Sequence, residues 1–240
     1  ECFKAYEQMV AGFTTHGLGE PEAVCCDLHP DYLSSQFAGK LGKPLHRVQH
    51  HLAHVLSCML DNRIEGPVLG VVWDGTGYGP DQTVWGGEFL LVNKGDFERV
   101  GCIRPFRLPG GEHAVIDCRR PALGILAEIF PGDFGQRIPE ALKFSLEEMR
   151  VLSTMLEKKI NSPVTTSAGR LFDAVAGLLG FCRQQSFEGQ GPMMLEALLA
   201  GDGEEAYEFG ILEERLLLVD WEPAVLSLLE DSLQGVGPAI

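Results

Sequence analysis

Residues Pro67-Val68-Leu69-Gly70-Val71-Val72-Trp73 form an unbroken apolar run that ends in Asp74 and three alternating glycines, Gly75, Gly77 and Gly79. A continuous run of this length predicts a strand buried on both faces, the pattern of a sheet covered on each side by other elements. The glycines let the backbone turn sharply and come close to an anion, and their amides can cradle phosphate. Asp74, at the strand's end, is suited to coordinate a metal or orient a nucleotide. The same residues also fit a Gly-rich hairpin in which Asp74 caps the turn. Further strands are expected at 83–92 and 97–103, separated by the turn signal Asn93-Lys94-Gly95-Asp96.

The rest of the chain reads as helices with short strands. Residues 2–13 carry Phe3, Tyr6, Met9 and Val10 at helical spacing, and 17–21 break the pattern. Residues 23–26 read as a buried strand, 31–38 as a helix, Val48 as the end of a short strand and 50–62 as an amphipathic helix. From Ala114 the chain turns mainly helical, with segments at 118–130, 146–159, 168–180 and 192–200. An α/β fold with lobes follows, a mixed sheet flanked by helices and then a helical region. The expected division is 1–110, holding a remainder of a first lobe and the start of the hairpin, and 111–240, mainly helical. The Glu at position 1 and the uncapped end at 235–238 read as cut termini.

Composition narrows the function classes. A formal net charge of -15 and no Lys/Arg run argue against nucleic-acid binding, because such a field repels phosphate backbones. No leader opens the chain, and no apolar run approaches the ~18 residues of a membrane span, so a cytoplasmic protein is expected. The seven cysteines, Cys2, Cys25, Cys26, Cys58, Cys102, Cys118 and Cys182, contain no C-x-x-C pair. They read as buried or free thiols in a reducing compartment rather than as a zinc site.

Three segments carry residues capable of chemistry. In Gln49-His50-His51-Leu52-Ala53-His54, His50 and His54 are one helical turn apart and share a face, so both can bind one transition metal; His51 points about 100° away. Polar or packing histidines fit the same spacing, and two histidines need a further ligand to hold a metal tightly. In Thr165-Thr166-Ser167-Ala168-Gly169-Arg170-Leu171-Phe172-Asp173, a hydroxyl caps a helix and Asp173 lies one turn in, where it suits ribose hydroxyls or simply the helix dipole. In Arg104-Pro105-Phe106-Arg107-Leu108-Pro109-Gly110-Gly111, two guanidinium groups suit an anionic substrate or a structured connection. Gly86-Gly87-Glu88 fits a bulge or close backbone approach. Glu188-Gly189-Gln190-Gly191 and Glu196 fit loop or cap roles.

The order of these blocks resembles the HypF family of hydrogenase-maturation carbamoyltransferases. The resemblance rests on Asp27-Leu28-His29-Pro30-Asp31-Tyr32, Val48-Gln49-His50-His51-Leu52-Ala53-His54, Asp74-Gly75-Thr76-Gly77-Tyr78-Gly79 and Trp85-Gly86-Gly87-Glu88-Phe89. It continues through Arg104-Pro105-Phe106, Leu108-Pro109-Gly110-Gly111, Ser167-Ala168-Gly169-Arg170-Leu171-Phe172-Asp173 and Glu188-Gly189-Gln190, from about residue 22 to 200. It implies an actin/hexokinase-like ATPase fold, related to the tRNA threonylcarbamoyl-transfer proteins. It further implies that His50 and His54 ligate iron or zinc with Asp74 close by, and that Asp74 and Arg104 serve catalysis. Gly75, Thr76, Gly77, Gly79, Gly169, Asp173 and Glu188 would then line a site for ATP or carbamoyl-adenylate with Mg. The implied reaction passes a carbamoyl group, derived from carbamoyl phosphate, to the C-terminal cysteine of a HypE-type partner, on the way to the cyanide ligand of [NiFe] hydrogenase. The nucleophile is then the partner's thiolate, and none of the seven cysteines here needs to be catalytic.

The pattern also departs from the family's. The acylphosphatase-like, zinc-finger and adenylate-forming regions leave no trace, the family's Gly-Gly-Val-x-x-Asn segment and late aspartate ligand are missing, and residues after about 205 match poorly. A noncatalytic fragment that binds only nucleotide or a partner protein is therefore the alternative. A tRNA-modifying relative fits less well, because Asp74-Gly75-Thr76-Gly77 stands where that group has Ser-Gly-Gly.

Overall fold

The computed structural model describes residues 2–13, 15, 19–199 and 206–236. Part of the expected break at 17–21, the end of the expected helix at Ala200 and the terminal Gly237-Pro238 lie outside the described residues. The chain divides into two compact units, Glu1–Ile64 with Gly77–Gln82, and Glu65–Thr76 with Thr83–Ile240.

The first unit is built on a pair of short parallel strands. Helix α1 (Cys2–Phe13) lays Phe3 and Tyr6 edge-on to Phe37, with centroids 6.1 and 5.7 Å away. Strand β1 (Val24–Asp27) leads to α2 (Leu33–Ala38), which carries Phe37, and β2 (Leu45–Val48) then pairs in parallel with β1. The register sets Asp27 opposite Val48, two residues before helix α3 (His50–Asp61) begins. The acid that ends β1 therefore stands beside the first turn of α3. Gln49 caps that helix, its side-chain oxygen accepting the Leu52 N–H at 2.8 Å, and His51, Leu52 and Val55 are its buried face.

The second unit is a mixed sheet with helices. Strand β3 (Val68–Tyr78) pairs with β4 (Val84–Asn93), which forms an antiparallel hairpin with β5 (Asp96–Ile103). Lys94 and Gly95 turn that hairpin with φ of 54° and 90°, the two positive values a tight type I′ turn demands. β6 (Phe106–Arg107) and β7 (Val164–Thr165) extend the sheet from β4. On the far side, β8 (Gly210–Glu213) joins antiparallel to β9 (Leu217–Asp220), which runs parallel to β5. Around it lie α4 (His113–Ile116), α5 (Arg119–Ile129), α6 (Leu146–Lys158), α7 (Ala168–Leu178), α8 (Gln190–Glu196) and α9 (Glu222–Gln234). The α/β class with a mixed sheet and flanking helices is as expected. Phe106, Leu123, Ile125, Leu126, Leu142 and Trp221 fill the core between sheet and helices.

Three local expectations are corrected. β3 is buried on one face only: Gly70 and Val72 are buried, whereas Leu69, Val71 and Trp73 are 57%, 55% and 62% exposed. The run is apolar on both faces, yet only one of them is packed among the described residues. Next, Gly75 and Gly77 do not turn the chain; the strand continues through them to Tyr78, and the turn falls where the Gln82 N–H meets the Gly79 carbonyl at 2.9 Å. Finally, the region after Ala114 is less purely helical than its sequence pattern, since β7, β8 and β9 all lie there.

Candidate functional site

The first unit holds the histidines. His50 and His54 project from one face of α3 and bring their Nε2 atoms to 3.2 Å. Two nitrogens bound to one tetrahedral zinc at about 2.0–2.1 Å lie about 3.3 Å apart, so the pair already has the separation a shared ion needs. Asp27 fixes one of the two rings: its Oδ2 lies 2.9 Å from His50 Nδ1, and its Oδ1 accepts the His29 N–H at 2.7 Å. His51 faces elsewhere. It is fully buried, with its Nδ1 3.1 Å from Gln49 Nε2, which also donates to the Tyr78 carbonyl at 3.3 Å. Gly77 lies close against this helix. A Cβ there would stand 2.4 Å from His51 Cε1 and 3.1 Å from His50 Cβ.

The second unit gathers Asp74, Gly75, Gly169, Arg170, Asp173 and Glu188. Asp74 accepts the Gly75 N–H at 2.6 Å. The Ser167 hydroxyl faces the carbonyls of Asp74 and Gly75, both at 2.8 Å, and accepts the Arg170 N–H at 3.1 Å as the cap of α7. One side chain thus ties the end of β3 to the start of that helix. Gly169 permits the contact, because a Cβ there would lie 3.0 Å from Gly75 Cα. Arg170 is almost fully buried between two carboxylates, with Nη1 2.7 Å from Asp173 Oδ2 and Nη2 3.5 Å from Glu188 Oε1. Asp173 is fully buried; burial pushes its carboxyl up to about 6, against the opposing pull of Arg170. Asp173 therefore meets Arg170 and has no solvent-facing surface, while Glu188 is largely exposed. Thr76 is exposed on β3, and Gly79 is buried.

Arg104 stands apart from this cluster. Its Nη1 is 2.9 Å from Asp220 Oδ1 and also meets Glu222, its guanidinium lies over the Trp221 ring, and the Trp221 indole N–H donates to its carbonyl at 2.8 Å. Two carboxylates, one on β9 and one on α9, thus face it. Among the cysteines, Cys102, Cys118 and Cys182 are buried. Burial, with Cys182 alongside, pushes the Cys118 thiol well up, which opposes thiolate chemistry there.

Asp27 and Glu88 are the residues sequence reasoning left without a role. Glu88 is fully buried and accepts the Gly86 and Gly87 N–H groups at 3.1 and 3.3 Å, Arg99 Nε at 2.6 Å and the Thr166 hydroxyl. It braces the Thr166-Ser167 approach to α7. An acid within a predicted strand, next to two glycines, is the signal that could have marked it.

The family models place the chain in the Kae1-like class of transferase domain. Residues 1–61 match the model described as the HypF Kae1-like domain, and residues 70–240 match "Carbamoyltransferase, Kae1-like Domain, second subdomain". The chain belongs to the HypF carbamoyltransferase family. It is 35% identical to carbamoyltransferase HypF of Synechocystis over 94% of its length and 32% of that protein's, and 42% identical to that of Rhodobacter capsulatus over 84% of its length and 28% of that protein's. It is also similar to the crystal structure of full-length HypF in the phosphate- and nucleotide-bound form, with a TM-score of 0.89 and 35% identity over 99% of this chain and 37% of that one. With the T. kodakarensis HypF structure the TM-score is 0.83 at 31% identity, over 97% of this chain and 32% of that one. The chain spans about a third of the length of these relatives. The family match reaches residue 240 and so corrects the expectation that it fades after about 205.

Proposed function

We propose that this chain carries out carbamoyl transfer from carbamoyl-adenylate to the C-terminal cysteine of a HypE-type maturation protein. The observation that carries this reading is the His50–His54 pair at metal-ligand separation, in a chain that belongs to a carbamoyltransferase family. The site would work in the cytoplasm, where the cysteine stays reduced; no helix among the described residues is long and apolar enough to cross a membrane.

In this reading His50 and His54 hold iron or zinc, and the family pattern adds Asp74 as their third ligand. A bound ion would supply Lewis-acid polarisation of a substrate oxygen. Gly75, Thr76, Gly77, Gly79 and Gly169 offer backbone to the nucleotide's phosphates, which carry Mg. Asp173 and Glu188 hold Arg170 in place beside Gly75 and Gly169, as Asp220 and Glu222 hold Arg104, so each guanidinium is already matched by two carboxylates. The partner's thiolate attacks the carbamoyl carbon; an S–C bond forms, the C–O bond to the adenylate phosphate breaks, and AMP leaves with the electron pair. Preorganised donors at the departing phosphate favour that step.

The reading is tested by mixing the chain with carbamoyl-adenylate and a peptide ending in the acceptor cysteine, then weighing the peptide by mass spectrometry. A thiocarbamate that depends on His50 and His54 is expected. No product, under conditions where a full-length relative makes it, would favour a fragment that only binds nucleotide or partner.

A further inference from the structure

Neither residue type nor spacing tells which nitrogen of His50 faces the metal, and the surroundings of α3 do. Strand β1 ends at Asp27, opposite Val48 in the parallel pair, and the Leu28 N–H continues that pairing to the Val48 carbonyl at 3.0 Å. The Ser35 hydroxyl donates to the Asp27 carbonyl at 3.2 Å, so the end of the strand is anchored from α2 as well. The carboxylate is divided: Oδ1 takes the His29 N–H, and Oδ2 lies on His50 Nδ1. Its side chain is 19% exposed and that of His50 33%, so the contact is partly shielded from water.

An ionised carboxylate only accepts. His50 Nδ1 must then carry the ring proton, and the lone pair falls on Nε2, the atom that meets His54. One residue along, the order is reversed. Gln49 spends its oxygen on the Leu52 N–H, so its nitrogen is the group facing His51 Nδ1, and an amide nitrogen only donates. His51 is thereby set with its lone pair on Nδ1. Adjacent histidines are sorted into opposite tautomers by two different partners, one into the ligand form and one into a packing form.

We infer that Asp27 is a positioning residue for the metal site, holding His50 as an Nε2 ligand before any ion arrives. The inference rests on the metal reading given above. Carboxylates behind ligating histidines orient the ring and raise its basicity, and their loss weakens metal binding about 10–100-fold.

Two measurements test it. Calorimetric titration with Zn(II) compares the wild-type chain with Asp27→Asn and His54→Ala, with thermal midpoints as a check on folding. Wild type should bind, and Asp27→Asn should bind about 10–100-fold more weakly while the midpoint holds. An affinity within about twofold of wild type, with His54→Ala impaired, would overturn the role of Asp27 and leave the metal reading intact. A wild-type chain that takes up no Zn(II) would overturn the metal reading itself, and the inference with it. Independently of any variant, long-range proton–nitrogen NMR of the metal-free wild type should find the His50 proton on Nδ1. A proton on Nε2 contradicts the inference even if Asp27→Asn fails to fold.

Discussion

Gly77 leaves no room for a Cβ beside His51: an added carbon would stand 2.4 Å from Cε1 of that fully buried ring. At Gly75, two residues earlier, the nearest atom is Glu188 Oε1 at 2.7 Å, the end of a largely exposed side chain that can swing away. The two glycines should therefore differ. Gly77→Ala forces α3 to shift, as overpacking does, and should cost about 1–3 kcal/mol. Gly75→Ala should cost less than about 1 kcal/mol while weakening nucleotide binding. Urea denaturation and a nucleotide titration of both variants check this, and equal destabilisation would be evidence against it.

Glu88 should be among the costliest single truncations. It is buried with four donors around it, and Arg99 keeps its charge when the partner is lost. Removing one member of a buried pair typically costs about 3–5 kcal/mol. Glu88→Ala should lose about that much, and the double variant Glu88→Ala/Arg99→Met less than the sum of the singles. Denaturant midpoints of the set report the coupling; additive losses would dissolve the link.

Asp173 imprints a pH dependence of definite sign. Its folded pKa of about 6 lies above the ordinary 3.8, so the folded state binds the proton more tightly than the unfolded chain does. Stability from this group is fully present below about pH 4 and is lost as pH rises through about 6. A shift of about two units corresponds to about 3 kcal/mol. Unfolding free energies measured from pH 4.5 to 7.5 should fall for wild type relative to Asp173→Asn and run parallel to it above about pH 7. Curves parallel over the whole range would mean that the carboxyl titrates normally.

How far the sequence speaks depends on how local the determinant is. The helix of His50 and His54 was legible, because one helical turn of spacing fixes a shared face, and so were the β4–β5 hairpin at Lys94-Gly95 and the helices from Arg119 to Leu178. Asp27 was not, because its reach to His50 depends on the register of two strands 21 residues apart in sequence, Val24 to Leu45. Strands β8 and β9 were missed for the same reason, since β9 is a strand by virtue of pairing with distant β5. The glycines of β3 were legible as sites of close approach but not as extended strand. What each one approaches, Arg170 and Glu188 or His51, lies elsewhere in the chain. The partners of Arg104 were not legible either, because Asp220 and Glu222 are more than a hundred positions away.

The central claim is that His50 and His54 form the metal pair of a carbamoyltransferase domain. Titration of the metal-free chain with Fe(II) or Zn(II), repeated with His50→Ala and His54→Ala, tests it most directly. The account predicts one ion per wild-type chain and at least a tenfold loss of affinity in each variant. Unchanged affinity in both would contradict it.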